Sequence, residues 1–474
     1  MLFRLLAPAV WSHFLSLVCC SEQTGAGLAA CTLGSLKGRG FSAEGDIIIG
    51  GIFPVHYNKV FPDTPFTELP GPTRCEIFSQ RSYRWVQTMV FAINEINQNA
   101  TLLPNLTLGF GIYDTCGAVH RGIEGALWMM SGQEVLVPGY RCLPGTPLAA
   151  IIGDAGSRIS LAIARILGLY SYPLISYFAT VPQLSDRRQF PSFFRTIPSD
   201  VFQVQGLVRL MQHFGWSWLG LLASEDDYGQ MGSQILQKEL LQSGACLAFH
   251  ETVPLLYDKR KIQRIVQVVK SSSAKAIIVF TFESFLMPVV VEMARQNVTG
   301  KVWVATEGWS TSHNLANREL LKTMDGTIGF AIRRADIPGL REHLLSVSPN
   351  SPTNKSLVKL FWEEMFKCKW PDIQDNLGGS QQLCTGQENL SQLGMATAYS
   401  DVSNLRISYN IYNAVYAAAH ALHDLHSCKP GEGPFANGGC ANIRDFEPWQ
   451  VIHTKSTILY RQDSQSYLLI LVKE

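Results

Sequence analysis

Short apolar runs alternate along this chain with longer stretches in which apolar residues recur at helical spacing. The run IIIGGIF at 47–53 predicts a first buried strand, and YRWVQTMVFAINEIN at 83–97 predicts a helix. The same alternation continues in later segments, with strands at 107–115, 148–153 and 172–178 and a helix at 157–169. Strands that alternate with helices indicate sheets covered by helices on both faces, so we predict a doubly wound α/β architecture.

A second series of strands and helices begins at 216–223. It contains further strands at 275–282 and 301–306, and helices at 229–243, 260–271 and 284–296. Two successive α/β series predict two lobes. We assign residues 45–200 to the first part of lobe 1, 201–325 to lobe 2 and 326–450 to a return into lobe 1.

The segment 345–400 interrupts the alternation, because it is rich in Ser, Asn, Gln, Gly and Pro. Such composition favours a long loop, and we predict an insertion here before helical spacing resumes at 407–425. Residues 451–474 are interpreted as a divergent, truncated tail, in which YLLILV at 467–472 suits a strand.

The first 22 residues have the pattern of a secretory signal peptide. Arg4 precedes an apolar run that extends from Leu5 to Cys20 and is broken by three polar residues. A membrane anchor is the alternative, but it needs about 20 unbroken apolar residues. Five Asn-x-Ser/Thr acceptors support the same compartment: Asn99, Asn105, Asn297, Asn354 and Asn389. We therefore predict a glycosylated chain of the secretory pathway, and no later segment is apolar enough to span a membrane.

The composition of the chain excludes two further classes of protein, disordered chains and nucleic-acid-binding proteins. The hydrophobic fraction of 46% excludes a disordered chain. With 39 basic and 38 acidic residues the formal charge is +1, so the chain lacks the positive field that binding to nucleic acid needs. Only 16% of the residues are charged, which leaves much neutral surface that glycans would cover.

Motifs for catalysis are absent from the sequence. There is no G-x-x-x-x-G-K-[ST], no G-x-S-x-G and no H-E-x-x-H, so we predict no catalytic residues and no enzyme. His420, His423 and His426 recur at a spacing of three in one predicted helix, which offers a metal site as an alternative. The third imidazole would not lie on the same helix face as the first two. A partly exposed helix face without a metal explains the same spacing.

Polar side chains follow several predicted strands. In an open α/β sheet, ligands bind at the carboxyl ends of strands, where helix N-termini present free N–H groups. Ser157 follows one strand, and a simple helix cap is the alternative for it. Thr180, Asp200, Tyr228 and Glu307 lie in comparable loops. Taken together, these residues would form two faces of a cleft. Hydroxyl and amide donors on one face would hold a carboxylate, and carboxylates and a phenol on the other would hold an ammonium group, so the set suits a zwitterion.

Seven stretches resemble the extracellular Venus-flytrap module of class C G-protein-coupled receptors, in the group of calcium-sensing, vomeronasal type-two and fish olfactory receptors. They are GDIIIGGIFPVH (45–56), LLPNLTLGFGIYDTC (102–116), FPSFFRTIPSD (190–200), DDYG (226–229), TGKVWVATEGW (299–309), GTIGFAI (326–332) and LRISYNIYNAVYAAAHAL (405–422). The resemblance implies a bilobed, periplasmic-binding-protein-like fold, with two doubly wound lobes around a cleft.

The resemblance also implies a ligand set. Ser157 and Thr180 would hold an α-carboxylate, and Ala179 would add backbone contacts. The α-amine would be held by Asp200, Tyr228 and Glu307. Trp85 and Ile407 fall where relatives contact the ligand side chain, although both are also suited to a core. A neutral or apolar ligand is therefore expected, while Arg81 nearby leaves an acidic one open.

The family pattern of cysteines would pair Cys75 with Cys116, Cys368 with Cys384, and Cys428 with Cys440. Cys142 would form an intersubunit bridge in a homodimer or heterodimer. Cys246 resembles the residue that pairs with a cysteine-rich linker domain, which this chain does not contain, and Cys31 has no evident partner. Connectivity does not follow from the sequence alone.

The resulting hypothesis is a ligand-sensing ectodomain that closes on an L-amino acid or a related small zwitterion and thereby drives signalling. The family would be anchored on the extracellular side of the plasma membrane, whereas this chain alone would be secreted. G-protein coupling would require a membrane domain that is absent here. A soluble, non-signalling binder or truncated receptor form is the alternative, and a secreted enzyme is not favoured. We expect no cofactor, with calcium possible near 96–105.

Overall fold

The computed structural model forms two lobes, each built on a six-stranded sheet. It describes residues 40–57, 59–60, 67, 74–131, 146–312, 314–315, 317–350, 355–371, 382–393, 397–453 and 467–471. The predicted signal peptide, Cys31, Cys142 and Asn354 lie outside these residues. The bilobed α/β fold class predicted from the alternation is confirmed.

The strands and helices of the first lobe follow each other closely along the chain. The strands are β1 (Gly40–Ala43), β2 (Ile47–Phe53), β3 (Lys59–Val60), β4 (Arg74–Cys75), β5 (Leu108–Asp114), β6 (Leu148–Ile152), β7 (Leu174–Ser176) and β8 (Phe193–Arg195). The helices are α1 (Gln80–Gln98), α2 (Val119–Met130) and α3 (Ser157–Leu169). The sheet order is β1-β5-β2-β6-β7-β8, and every pairing is parallel except β1 with β5. β3 and β4 form a separate hairpin.

The second lobe repeats this plan. Its helices are α4 (Asp200–His213), α5 (Asp227–Gln242), α6 (Lys259–Ser271), α7 (Glu283–Arg295) and α8 (Leu321–Met324). Its strands are β9 (Trp218–Ser224), β10 (Cys246–Val253), β11 (Ala276–Phe280), β12 (Val302–Ala305), β13 (Ile328–Ile332) and β14 (Tyr467–Leu471), in the order β10-β9-β11-β12-β13-β14. In both sheets the central strands are continuously buried, because helices cover both faces.

The chain returns to the first lobe after β13, not at residue 326 as predicted. β13 pairs with β12 and therefore still belongs to the second sheet. β14, in the segment predicted to be a truncated tail, pairs antiparallel with β13 and forms the edge of that sheet. In the described residues after β13, the α-helices are α9 (Leu340–Ser346), α10 (Lys355–Phe366), α11 (Arg406–His426) and α12 (Pro448–His453).

Helix α10 corrects the prediction of a loop over 345–400. Leu357, Phe361 and Met365 recur at a spacing of four and are all buried. Phe361 stacks on Tyr83 and packs at a tilt against Tyr399, with ring centroids 4.5 Å apart in both cases. The polar composition of the whole segment hid this apolar face, because the average includes the polar stretches on either side.

Disulfides join Cys75 to Cys116, Cys368 to Cys384 and Cys428 to Cys440, the same pairs that the resemblance implies. Cys246 is a free, exposed thiol at the start of β10. Among the helices of the described residues, none has the length and apolar character needed to cross a bilayer.

Candidate ligand-binding site in the interlobe cleft

A cavity of about 630 Å³ lies between the lobes and is lined by the first turns of helices from both. α3 and α7 each follow the carboxyl end of a central strand, β6 and β11 respectively. Neither helix has a side-chain cap, and neither does α11, which also begins at the cavity. The N–H groups of these first turns have no intrahelical partner and carry the positive end of the helix dipole. The cleft therefore suits an anionic group.

Ser157 is not a simple helix cap, which corrects the alternative considered for it. Gly156 is the N-cap residue of α3, and Ser157 is the first residue of the helix. The Ser157 hydroxyl accepts hydrogen bonds from the N–H groups of Thr180 and Val181, at 3.3 and 3.4 Å. It is fully buried and ties α3 to the loop after β7.

Asp200 is connected to the same loop and begins helix α4. Its backbone N–H donates to the Thr180 carbonyl at 2.9 Å, while Ser199 caps the helix. One turn later, the Gln203 side chain donates to Asp200 Oδ1 at 3.3 Å. Thr180 and Asp200, which are 20 positions apart in the chain, are thus brought together at the junction of the lobes.

Asp200, Gln203, Tyr228 and Glu307 form a connected group that we name the acid cluster. The backbone N–H of Glu307 donates to Gln203 Oε1 at 3.0 Å. The Tyr228 hydroxyl lies 3.0 Å from both Glu307 Oε1 and Thr306 Oγ1. All four residues are buried. The sequence predicted three of them and missed Gln203, which the helical spacing from Asp200 would have placed on the same face.

The acid cluster contains buried polar atoms without a partner. Among the described residues, Asp200 Oδ2, Glu307 Oε2 and the hydroxyl of Thr180 make no hydrogen bond. Burial raises the pKa of Glu307 to about 7. Burial, together with the charge of Glu307, raises the pKa of Asp200 well above its ordinary value. A bound cation would stabilise both ionised carboxylates and supply the missing partners.

Tyr228 is turned inward by the way in which α5 begins. Asp226 caps the helix and accepts from the Gly229 N–H at 3.1 Å. A Cβ atom at Gly229 would lie 2.2 Å from the Ser224 carbonyl oxygen, so only glycine allows α5 to begin this close to β9. The Tyr228 ring then packs on Phe280 and Phe282, with centroids 4.8 and 4.6 Å away.

Trp85 and Ile407 line the cavity, and both are also part of the first lobe's core. Each is only 4% exposed. Trp85 packs edge-on against Tyr177 and Phe178, with centroids 5.8 and 6.2 Å away. The two interpretations considered for these residues are therefore compatible, because one face of each side chain is packed and another faces the cavity.

Arg81 also lines the cavity, and its guanidinium reaches across to the second lobe. Arg81 Nη1 lies 3.3 Å from Glu283 Oε2 at the start of α7, and we name these two residues the cross-lobe pair. The other Glu283 oxygen accepts from the Asn314 side chain at 2.5 Å. Phe178 and Phe282 make a second contact between the lobes, with ring centroids 5.8 Å apart. Polar and apolar contacts thus bridge the cleft.

Asp154 is a buried acid that the sequence analysis did not select. It follows β6 and lines the cavity. Its carboxylate accepts from the Gly156 N–H at 2.7 Å and from the Thr115 hydroxyl at 3.1 Å. Burial raises its pKa to about 7, and the nearby charge of Asp114 adds to this shift. Its place directly after a strand, in the same loop as Ser157, was the signal that could have identified it.

The remaining predicted residues have other surroundings. The Ala179 N–H donates to the Ser176 hydroxyl at 2.9 Å, so this group already has a partner. His423 accepts a hydrogen bond from the Leu103 N–H, and no cluster of three or more metal-ligating residues occurs in the described part of the chain. In the loop at 96–105, the Asn99 side chain accepts from Thr101. The sequon asparagines that the structure describes, Asn99, Asn105, Asn297 and Asn389, are all exposed.

Comparison with known proteins identifies the family. Residues 84–457 match the family described as receptor family ligand binding region. The chain belongs to this family. The receptors it matches include calcium-sensing and taste receptors, in keeping with the resemblance to class C receptors.

Individual relatives of this receptor module are receptors. Over 435 residues it is 39% identical to the extracellular calcium-sensing receptor of Sus scrofa and 38% identical to that of Homo sapiens, covering 86% of this chain and 40% of each relative. Taste receptor type 1 member 1 of Homo sapiens is 31% identical over 421 residues, covering 87% of this chain and 46% of the relative. The receptor module thus spans less than half the length of these relatives.

Proposed function

We propose that this chain senses a free L-amino acid, which binds between the lobes and favours their closed arrangement. The acid cluster carries the proposal. Asp200 and Glu307 are buried, and each leaves one carboxylate oxygen without a hydrogen-bond partner among the described residues. An α-ammonium group supplies three donors and one positive charge, which complements two carboxylates and the Thr180 hydroxyl.

The α-carboxylate would lie at the start of α3. Ser157 is oriented there by the two backbone N–H groups that it accepts from. The N–H groups of the first turn of α3 have no side-chain cap, and Gly156, Arg158 and Ile159 line the cavity. Helix N-termini of this kind bind carboxylates. Both charged groups of an amino acid therefore have complementary partners, the carboxylate at the start of α3 and the ammonium at the acid cluster. Neither Ser157 nor a residue of the acid cluster is itself part of the cavity lining, and Thr180 links the two places through its backbone.

The cavity accommodates the side chain of the ligand. Its volume of about 630 Å³ falls within the range of roughly 300–1,000 Å³ that is common for small-molecule sites. Trp85, Phe178 and Phe282 give it an aromatic wall. A ligand that touches both lobes binds the closed arrangement more tightly than an open one, so it shifts the population toward closure.

The setting of the proposed function follows the relatives. We place the chain on the extracellular side, in a dimer, with signalling to a G protein carried by parts of a longer protein. Because relatives of this chain are calcium-sensing receptors, Ca²⁺ is the cation to include in every test. No cofactor enters the proposal.

The decisive experiment combines thermal unfolding with calorimetry on the glycosylated chain. Melting temperatures are measured with each of the twenty amino acids, with and without Ca²⁺, because a ligand that binds the folded state raises the transition by mass action. The best ligand is then titrated into wild type and Thr180→Val. We expect at least a tenfold loss of affinity, since a hydrogen bond to a charged group contributes about 1.5–3 kcal/mol.

Thr180→Val is a sharp test because the hydroxyl that it removes is buried beside Asp200 and makes no hydrogen bond of ordinary geometry among the described residues. Stability without ligand should stay equal or rise. Thr88→Val is the matched control, since Thr88 is equally buried in the first lobe but its hydroxyl bonds to the Arg84 carbonyl of its own helix. Equal affinities in wild type and Thr180→Val would refute the assigned site, and a panel without any stabilising amino acid would refute the proposed function.

A further inference from the structure

We infer that Glu283 determines the side-chain specificity of the cleft: by pairing with Arg81 across the lobes, it makes the site prefer a neutral amino acid to an acidic one. The inference deepens the proposed function and rests on it. It depends on the cross-lobe pair. Arg81 lies at the start of α1 in the first lobe, and Glu283 lies at the start of α7 in the second.

The geometry holds Glu283 in place toward the cleft. One carboxylate oxygen lies 3.3 Å from Arg81 Nη1, and the other accepts from Asn314 at 2.5 Å. Arg81 is itself positioned over the Trp85 ring, 5.5 Å from its centroid. Both partners are partly buried, with 29% and 19% of their side chains exposed. Partial burial weakens solvent screening, so the pair affects a ligand in the same cavity.

Charges around the cavity are balanced in number. The lining contains four arginines (Arg81, Arg84, Arg158, Arg406) and four acidic residues (Asp154, Asp226, Glu283, Asp401). Arg84, Arg158 and Arg406 are each fixed by a backbone carbonyl, of Asp401, Gly117 and Ile332 respectively. Arg81 is instead bonded to a carboxylate. Removing the charge of Glu283 therefore leaves Arg81 without its carboxylate partner.

An acidic ligand side chain meets two penalties at this end of the cleft. It faces the like charge of Glu283, and it can use Arg81 only by displacing an existing partner. Specificity of this kind comes from a repulsive element that acts against the wrong ligand. A neutral side chain meets neither penalty and packs against Trp85 and Phe282, which line the same cavity.

The test compares L-glutamine with L-glutamate, which have nearly the same shape and differ in side-chain charge. Calorimetric affinities are measured for wild type, Glu283→Gln and Glu292→Gln. Glu292 is the matched control, because it lies on the same helix and pairs with Arg295 away from the cavity. We expect wild type to favour glutamine, and Glu283→Gln to shift the ratio toward glutamate by about tenfold, the scale of one partly buried charge pair. Glu292→Gln should leave the ratio unchanged.

A second variant makes the result independent of any effect on folding. In Arg81→Gln combined with Glu283→Gln, the gain for glutamate should disappear, because the cation that attracts it is gone. If wild type binds glutamine and Glu283→Gln leaves the ratio unchanged, this inference is wrong while the proposed function stands. If neither probe binds to wild type or to any variant, and no amino acid in the thermal panel stabilises the chain, the proposed function fails and the inference fails with it.

Discussion

Two groups of charged residues near the junction of the lobes, one buried and one lining the cavity, hold their charges differently. In the acid cluster, Asp200 and Glu307 are buried, and each leaves one carboxylate oxygen without a partner among the described residues. In the cross-lobe pair, both oxygens of Glu283 are engaged, one by Arg81 and the other by Asn314. A buried acid without a partner lowers the stability of the ligand-free protein and gains from a bound cation. An acid whose oxygens are both hydrogen-bonded, such as Glu283, would instead act against ligands with an acidic side chain. On the proposed function, the comparison assigns binding of the ligand to the acid cluster and selection among ligands to the cross-lobe pair.

The largest expected effect comes from Glu307→Gln in the acid cluster. The amide keeps an acceptor for the Tyr228 hydroxyl but removes the charge that would attract an ammonium group. We expect amino-acid affinity to fall about 100-fold, or about 2.7 kcal/mol, in calorimetric titration. The melting temperature without ligand should rise, because an amide is less costly to bury than a carboxylate.

Glu225→Gln is the control for this change. Glu225 lies in the same lobe and pairs with Lys261 at an exposed site. Its replacement should alter neither affinity nor stability by more than a few tenths of a kcal/mol. If Glu307→Gln lowered the stability and left the affinity intact, Glu307 would be a structural residue, and the acid cluster would not be the ammonium site.

A pH titration of stability tests the acid cluster next. The pKa of Glu307 and that of Asp154 are raised to about 7 in the folded chain. Between their unfolded pKa values, near 4, and pH 7, the folded state binds more protons than the unfolded state. Unfolding free energy should therefore be highest below this interval and fall as the pH rises through it, by on the order of 2–3 kcal/mol for each group.

Chemical denaturation from pH 4.5 to 7.5 would measure this fall. Glu307→Gln should remove the part that belongs to Glu307, reduce the part from Asp200, whose pKa the Glu307 charge helps to raise, and leave the part from Asp154. A saturating amino acid should reduce the fall, because its ammonium group stabilises the ionised carboxylates. A free energy that rises with pH across the interval would contradict the assignment of these two groups.

Much of this fold could be predicted because its central strands are short, continuous apolar runs. Helix α3 has the predicted bounds, since the apolar periodicity begins directly after a strand and a Gly-containing turn. β10 was missed because it is an edge strand that carries polar residues such as His250 and Glu251. α2 was missed because Gly122 and Gly125 weaken its helical signal.

The candidate site also contains residues that the sequence could predict and residues that it could not. Ser157, Thr180 and Glu307 could be selected individually, because each follows a strand and the carboxyl ends of strands meet at one edge. The cross-lobe pair could not, because Arg81 and Glu283 are 202 positions apart and belong to different lobes. Only the docking of the two lobes brings them within 3.3 Å, and no local pattern encodes that docking.

The smallest expected effect belongs to Asn314→Ala, which refines the interpretation of the cross-lobe pair. Asn314 is exposed and donates to Glu283 at 2.5 Å, so it orients the carboxylate without adding charge. Its loss should shift the glutamine-to-glutamate ratio two- to threefold toward glutamate, about 0.5 kcal/mol, measured by calorimetry. The same substitution in Glu283→Gln should have no further effect, because a residue that acts through Glu283 needs its carboxylate. An equal shift in both backgrounds would mean that Asn314 contacts the ligand directly, and selection at this end of the cleft would then involve more than the charge pair.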